Sequence, residues 1–184
     1  MTNDKFIMDA GCGGRFMWDN KDHPNTLYID NRTEPKGINP HRPNFEVRPD
    51  KVMDWRSLDM PNKSFKLILW DPPHSKSLGK TSRMRLTYGS LGPETWANDL
   101  SKGFKELWRV LDDYGTLVFK WNQSEIKLKD VLALFPVRPL FGDRGSAKFC
   151  KNKKTDSNTR WSVFMKIPDL GIGKGEDTKS EGNG

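Results

Sequence analysis

The sequence predicts an α/β fold, a doubly wound sheet of seven strands that is mostly parallel with an antiparallel C-terminal strand pair. Two observations support this prediction. Short apolar runs that end in turn-forming residues alternate with helical patterns, which favours a parallel sheet. The last two runs flank a basic connector, and we expect them to pair antiparallel.

The first half of the chain holds four predicted strands. Lys5–Gly11, Asn25–Asn31 and Phe65–Asp71 are short and apolar, as buried parallel strands are, and Asp50–Trp55 is a less apolar third strand. The connections on either side of the second strand are too short, or too rich in proline, for full-length helices. We therefore expect one face of the sheet to be thinly covered there.

A helix is predicted over Pro93–Leu111, because proline suits a first helical turn and Gly115 lies just beyond the end. Its apolar face comprises Trp96, Leu100, Phe104, Leu107 and Leu111. A fifth strand follows over Gly115–Trp121, and a second helix over Ser124–Phe135 with Ser124 as N-cap.

The last two predicted strands are Val137–Asp143 and Thr159–Ile167. The segment after them is rich in glycine and lacks aromatic residues, which predicts a disordered tail over residues 169–184. A single domain is therefore expected over residues 1–168, a length that suits one hydrophobic core.

Composition narrows the class of protein. No run approaches the roughly 20 apolar residues of a membrane span, and the N-terminal residues do not resemble a signal peptide. Cys12 and Cys150 are the two cysteines, too few for a disulfide framework or a four-cysteine zinc site. We therefore expect a cytoplasmic protein without a metal. The formal charge of +7 favours a polyanionic partner.

The loop after the first predicted strand reads DAGCGG, from Asp9 to Gly14. Phe16 stands where a dinucleotide-binding G-x-G-x-x-G loop would have its third glycine, so the match to that motif is poor. The pattern D-x-G-x-G instead resembles motif I of class I S-adenosylmethionine (SAM) methyltransferases, which have a Rossmann-like fold. The resemblance implies that Asp9, Gly11, Cys12 and Gly13 hold the methionine half of SAM.

Two further stretches extend this resemblance. Asp30, 19 residues after Gly11, closes the second predicted strand beside Asn31, where an acid can accept hydrogen bonds from ribose hydroxyls or simply cap the strand. The segment DWRSLDMPNKSF resembles the methyltransferase stretch D-x-x-x-L-x-x-P-x-x-S-F. It implies that Asp54 accepts from the adenine amino group and that Trp55 lines the adenine pocket. Lys66 stands where the family usually has an acid.

The fourth predicted strand ends in Asp71-Pro72-Pro73-His74, which resembles the D/N-P-P-Y/F/W motif of amino-group methyltransferases. An exocyclic amine is a poor nucleophile because its lone pair is delocalised into the ring. The carboxylate of Asp71 and the carbonyl of Pro72, accepting both N–H bonds, would localise that lone pair. The prolines would hold the carbonyl rigidly. His74 replaces the usual Tyr, Phe or Trp as the ring that stacks on the target base.

Two basic segments lie beside these motifs, and we predict that they bind nucleic acid. The contributing residues are Lys76, Lys80, Arg83 and Arg85 in the loop after the motif, and Lys148, Lys151, Lys153, Lys154 and Arg160 in the connector. Both segments can reach the ligand-binding edge of a parallel sheet, where phosphates of a flipped or single-stranded nucleotide need positive charge. Solvated surface loops are the alternative.

Together these features predict a SAM-dependent methyltransferase that acts on an exocyclic amino nitrogen of a nucleobase, first of all adenine N6 in DNA. The motif order and small size resemble compact prophage methyltransferases. An RNA base fits a small chain almost as well. A protein-amide methyltransferase and a non-catalytic SAM- and nucleic-acid-binding protein are further alternatives. A homodimer or a partner subunit would supply the recognition surface that so small a chain lacks.

Overall fold

The computed structural model describes residues 5–143 and 158–168. Its strands are β1 (Ile7–Ala10), β2 (Thr26–Asp30), β3 (Lys51–Val52), β4 (Phe65–Trp70), β5 (Leu111–Asn122), β6 (Phe141–Gly142) and β7 (Thr159–Met165). They form one sheet in the order β3-β2-β1-β4-β5-β7-β6. The predicted domain boundaries and the C-terminal tail stay predictions, because residues 169–184 lie outside the described part.

The strand directions confirm the predicted fold class. Strands β1 to β5 run parallel to one another. Strand β7 is antiparallel to both β5 and β6. Central strand β1 pairs with β2 on one side and β4 on the other, with Ala10 opposite Ile29 and Trp70. The loops that follow these three strands therefore leave the sheet side by side.

The helices of the described residues are α1 (Arg83–Tyr88), α2 (Trp96–Val110) and α3 (Leu128–Leu132). Helices α2 and α3 correspond to the two predicted helices and are shorter than predicted. Helix α2 begins three residues late because residues 92–95 form a turn, in which Thr95 donates its N–H to the Gly92 carbonyl. It ends early because Leu111 has extended backbone and starts β5. In the described residues, none of the helices is long and apolar enough to cross a membrane.

Two expectations about helices were wrong. Ser124 does not cap α3: its N–H binds the side chain of Asn122, and extended Lys127 precedes the helix. Helix α1 lies in the basic segment that was expected to be a loop throughout. On either side of β2, residues 11–25 and 31–50 contain turns and one isolated bridge between Glu34 and Val47, but no helix. The short connections therefore behave as predicted.

Aromatic side chains form the core between α2, α3 and the sheet. Phe104 of α2 stacks on Phe135 with ring centroids 4.2 Å apart, and Phe135 also meets Phe119 and Phe164. Large buried rings of this kind contribute most of the hydrophobic free energy of a small domain. Lys66, the departure from the family pattern, forms a surface ion pair with Asp112 at 2.6 Å.

Helix α2 approaches the sheet closely at Gly103. A Cβ atom on Gly103 would lie 2.2 Å from the ring of Trp55 and 3.1 Å from that of Trp70. Trp55 and Trp70 are themselves in edge contact, with centroids 5.4 Å apart. The glycine therefore lets the helix backbone rest directly on these two indoles.

We predict that Gly103→Ala destabilises the protein, although alanine usually stabilises a helix relative to glycine by about 1 kcal/mol. The added methyl group must displace buried rings, and overpacking of this kind costs about 1–3 kcal/mol. Urea denaturation would measure the free energy of unfolding, with Ser101→Ala in the same helix as the control. A Gly103→Ala protein as stable as wild type would show that the indoles move aside freely.

Candidate functional site

Two adjoining clefts open at the carboxyl ends of the parallel strands, and Asp71 lines both. The first, here the glycine cleft, is lined by residues that include Gly11, Cys12, Gly13, Asp30, Asn31, Trp55 and Pro73. The second, here the lysine cleft, is lined by Pro72, His74, Met84, Tyr88, Lys120, Asn122 and Thr159. Of the residues predicted to bind SAM or to act in catalysis, Asp9 and Asp54 line neither cleft.

The glycine loop bends sharply over the end of β2. The N–H groups of Gly11 and Cys12 both donate to the Ile29 carbonyl at 2.9 Å. Gly11 has φ +91° and Gly13 has φ +47°, a region that favours glycine. A Cβ atom on Gly11 would lie 3.8 Å from the Asp71 carbonyl oxygen and 4.0 Å from the Trp55 ring, so the glycine keeps open the space between them.

Asp30 joins the glycine loop to the chain after β2. One carboxylate oxygen accepts the Gly13 N–H at 3.0 Å, and the other accepts the Arg32 N–H at 3.2 Å. The Arg32 guanidinium lies 3.4 Å from the same second oxygen. The carboxylate is thus buried at the floor of the cleft with its charge partly compensated, and exposed Asn31 lies beside it.

Asp9 lies in β1, where the glycine loop begins. Its side chain is fully buried and accepts a hydrogen bond from the Trp18 indole at 2.7 Å. Among the described residues, no donor reaches its other oxygen, Oδ1. Burial, reinforced by the charges of Asp71 and Asp30, raises the pKa of Asp9 to about 7. This geometry gives Asp9 a structural place under the cleft.

The Asp54 carboxylate is occupied by its neighbour Arg56. The guanidinium donates to both carboxylate oxygens, with the Nη2–Oδ2 distance at 2.5 Å, and it also pairs with Asp99 at 3.0 Å. Arg56 and Asp99 line the glycine cleft beside Trp55. At this end of the cleft the polar side chains are therefore Arg56 and Asp99, and not Asp54 as the motif implied.

Cys12 lines the glycine cleft but is not a nucleophile. Its side chain is buried, and burial raises the pKa of the thiol to about 12. A thiolate, the reactive form, is therefore scarce at neutral pH. Cys12 fills space beneath the loop.

Asp71 forms an ion pair with Lys120 of β5, whose Nζ lies 2.6 Å from Oδ2. Burial raises the pKa of the Asp71 carboxyl, while the ammonium opposes that rise. Among the described residues, the hydrogen bond to this carboxylate reaches Oδ2, so Oδ1 is the oxygen that remains for a ligand. The pair joins the ends of two adjacent strands, β4 and β5.

The rest of the D-P-P-H motif lies in a rigid setting. Pro72 is buried, and Pro73 packs so closely on Gly89 that a Cβ atom there would approach it to 3.2 Å. The His74 ring is half-buried, 6.5 Å from both the Tyr88 ring and the Trp121 ring. Burial lowers the pKa of His74, which favours the neutral imidazole.

The residues predicted to bind nucleic acid differ in their exposure. Lys80, Arg83 and Arg85 are exposed on α1 and the loop before it, and half-buried Lys76 lies near the Trp96 ring. Glu125 binds this loop through Ser75, Ser77 and the Lys76 N–H, so an acid faces it from another segment. Four predicted residues, Lys148, Lys151, Lys153 and Lys154, lie outside the described residues.

Arg160 does not fit its predicted role as an exposed phosphate contact. It lies in β7 with only 7% of its surface exposed, 3.9 Å from Asp143. Its guanidinium also donates to the Thr159 carbonyl at 3.1 Å. The alternation of strand residues places this side chain on an inward face of the sheet, which sequence spacing alone did not reveal.

Sequence analysis missed Lys120, Arg56 and Asp99. Lys120 carried no motif, and only its position at the end of the strand adjacent to the D-P-P-H strand could have indicated it. Within residues 5–143 and 158–168, no group of His, Cys, Asp and Glu side chains is arranged to hold a metal ion.

The fold, but not the sequence, resembles those of known proteins. No protein-family model and no curated protein matches the sequence. A structure from Pyrococcus horikoshii matches with a TM-score of 0.52 at 14% identity, covering 88% of this chain and 81% of that one. A SAM-dependent methyltransferase from Methanosarcina mazei matches with a TM-score of 0.51 at 13% identity, covering 91% and 94%. The chain therefore has the fold of the class I SAM-dependent methyltransferases.

We predict that Asp9 makes stability depend on pH. Because its pKa is raised in the folded state, the folded protein keeps a proton that the unfolded chain loses between about pH 4 and about pH 7. The free energy of unfolding therefore falls as pH rises through this window. Asp9→Asn removes that dependence. The free energy of unfolding of the variant, relative to that of wild type, should therefore rise by about 4 kcal/mol between pH 4 and pH 8.

Urea denaturation at both pH values would measure this difference, with exposed Asp59→Asn as the control. A gap between Asp9→Asn and wild type that stays constant with pH would show that Asp9 is ionised in the folded protein.

Proposed function

We propose that this chain is a SAM-dependent methyltransferase that methylates an exocyclic amino nitrogen of a nucleobase, with adenine N6 in DNA as the first candidate. One observation carries the proposal. Asp71 of the D-P-P-H motif lies at the junction of the glycine cleft and the lysine cleft. An acceptor amine on Asp71 would therefore lie beside a methyl donor in the glycine cleft.

The glycine cleft has the features that SAM requires. Gly11 keeps open a space that a Cβ atom would fill, between the Asp71 carbonyl and the Trp55 ring. Asp30 would accept from the ribose hydroxyls, and Trp55 would offer an aromatic surface to the adenine. Asp99 lines the cleft where Asp54 does not, and it would accept from the adenine amino group beside its contacts with Arg56 and the Thr95 hydroxyl. When bound, SAM supplies an electrophilic methyl group on its sulfonium.

Asp71 and Pro72 would hold the amine that accepts the methyl group. Oδ1 of Asp71 and the Pro72 carbonyl would accept the two N–H bonds of the amine and direct its lone pair into the glycine cleft. Lys120 holds the other carboxylate oxygen, which fixes the carboxylate and favours its ionised form. Methyl transfer makes the nitrogen cationic, and its proton then leaves without a dedicated base. The neutral His74 ring would stack on the target base.

Nucleic acid fits this site better than a protein amide. The exposed cations of α1 and its loop border the lysine cleft, to which Met84 and Tyr88 of the same helix contribute. Phosphates of a flipped or unpaired nucleotide would contact these cations. DNA and RNA share this chemistry, and the products of the reaction distinguish them.

We predict that Asp71→Ala reduces methyl transfer by at least about 100-fold, because the acceptor amine loses its positioning group. The assay is transfer of labelled methyl from SAM to DNA, RNA and protein, followed by nuclease or protease digestion and nucleoside analysis. N6-methyladenine released by DNase is the expected product.

Calorimetry should show that Asp71→Ala still binds S-adenosylhomocysteine, and Asp59→Ala should behave as wild type. Label released only by RNase would replace DNA by RNA and keep the mechanism. Label released by protease, or undiminished transfer by Asp71→Ala, would contradict the proposal.

We further predict that Lys120 is a positioning residue whose loss changes the pH profile. Lys120→Met removes the charge that opposes the burial-raised pKa of Asp71, so that pKa rises further. The acidic limb of the kcat/KM profile should then move to higher pH, with a larger loss of activity at pH 6 than at pH 8.5.

Lys120→Arg should restore most of the wild-type profile, since a guanidinium also pairs with the carboxylate. Exposed Lys105→Met, on α2, is the control for loss of a positive charge. An equal loss of activity at every pH would mean that Lys120 only stabilises the fold.

A further inference from the structure

A row of four aromatic rings runs along the edge of the sheet where the two clefts open. Phe45 stacks on Phe16 with centroids 5.8 Å apart, Phe16 meets Tyr88 at 6.2 Å, and Tyr88 meets His74 at 6.5 Å. Each ring touches the next, so the row joins the lysine cleft to the far side of the glycine loop.

Phe16 is the exposed platform of this row. Its surface is 49% exposed, whereas Phe45 beneath it is buried. Gly14 makes the stacked pair possible, since a Cβ atom there would lie 2.9 Å from both phenyl rings. A large ring held open to solvent by a buried partner and a glycine is a built surface, and it lines both the glycine cleft and a further cleft beside it.

Positive charge surrounds this platform. A third cleft, here the basic cleft, is lined by Phe16 and Phe45 together with four cations and two acids: Arg15, Lys21, Arg42, Arg48, Asp22 and Glu46. The Arg42 guanidinium lies 5.1 Å and the Lys21 ammonium 5.6 Å from the centre of the Phe16 ring. Arg48 lies near Asp22 and Glu46, whereas the described residues show no salt bridge for Lys21 or Arg42.

Arg15 differs from these cations, because it is part of the framework. Its buried guanidinium donates to the carbonyls of Lys21 and Arg48 and stacks 3.8 Å above the Tyr28 ring. It therefore fixes the segments that present Lys21 and Arg48, and its own charge is directed inward.

We propose that the basic cleft and the aromatic row bind the single strand that flanks the target nucleotide, with a neighbouring base stacked on Phe16 and its phosphates on Lys21 and Arg42. Aromatic platforms with adjacent cations bind unpaired strands through base faces and phosphates. Bases within a duplex stack on each other and do not offer those faces. This inference rests on the proposed function, because it assumes a nucleic acid substrate whose target base enters the lysine cleft.

The test is fluorescence anisotropy with a labelled DNA strand of about 12 nucleotides, within the stretch that a small strand-binding domain covers. The RNA of the same sequence and the DNA duplex are measured in parallel, all with S-adenosylhomocysteine present. The wild-type protein should bind either single strand more tightly than the duplex. The ratio of the two single-strand affinities tells which nucleic acid the cleft prefers.

Phe16→Ala should weaken single-strand binding by about 10-fold or more, as loss of a stacking ring does. Arg42→Gln should make the slope of log K against log salt shallower by about 0.7, the change expected for one lost phosphate contact. Arg42→Gln should leave the affinity for S-adenosylhomocysteine unchanged, because Arg42 does not line the glycine cleft; Phe16 does line it, so the affinity of Phe16→Ala for S-adenosylhomocysteine is measured beside its affinity for the strand. Phe6→Ala, matched in exposure at 47%, and Lys105→Gln are the controls and should bind the strand as wild type does.

The outcomes separate this inference from the proposed function. If Phe16→Ala and Arg42→Gln bind the strand like their controls while the wild type methylates nucleic acid, the inference is wrong and the proposed function stands. If Phe16→Ala loses affinity only for S-adenosylhomocysteine, Phe16 serves the glycine cleft and the inference is again wrong. If wild type binds none of the three nucleic acids, both fail.

Discussion

The arrangement of this protein depends on bringing three carboxylates to one edge of a parallel sheet. Asp9, Asp30 and Asp71 lie at or just beyond the ends of three adjacent strands, and like charges close together in a buried site oppose ionisation. Each is accommodated differently. Asp9 is held by an indole N–H and has a raised pKa, Asp30 accepts from backbone amides and Arg32, and Asp71 has Lys120.

These compensations assign separate tasks to similar side chains. Asp9 is fully buried and bonded to Trp18, while Asp30 lines the cleft and accepts from the glycine loop. Asp71 is the carboxylate shared by both clefts, and among the described residues its ion pair reaches Oδ2. Differences in burial and partner, more than in residue type, therefore decide which carboxylate is structural and which can act on a ligand.

The hydrophobic core packs against the glycine cleft. Helix α2 rests on the indoles of Trp55 and Trp70 through Gly103, so the wall of the glycine cleft is continuous with the hydrophobic core. On the open side, the glycine loop presents Phe16, which replaces the glycine of a dinucleotide-binding loop. Phe16 makes the match to a dinucleotide-binding loop poor, and it is the exposed ring of the aromatic row.

The sequence by itself determined the number of strands and their order along the chain, because apolar runs of strand length and their turn residues are local features. It also located the Gly-rich loop, Asp30 and the D-P-P-H motif at strand ends. Only the tertiary structure decided the partners of these residues. The pairing of Lys120 with Asp71 and the burial of Arg160 depend on register and side-chain direction across the sheet, and the contact of Arg56 with Asp99 depends on how α2 packs. These features join residues distant in sequence, and no local pattern encodes them.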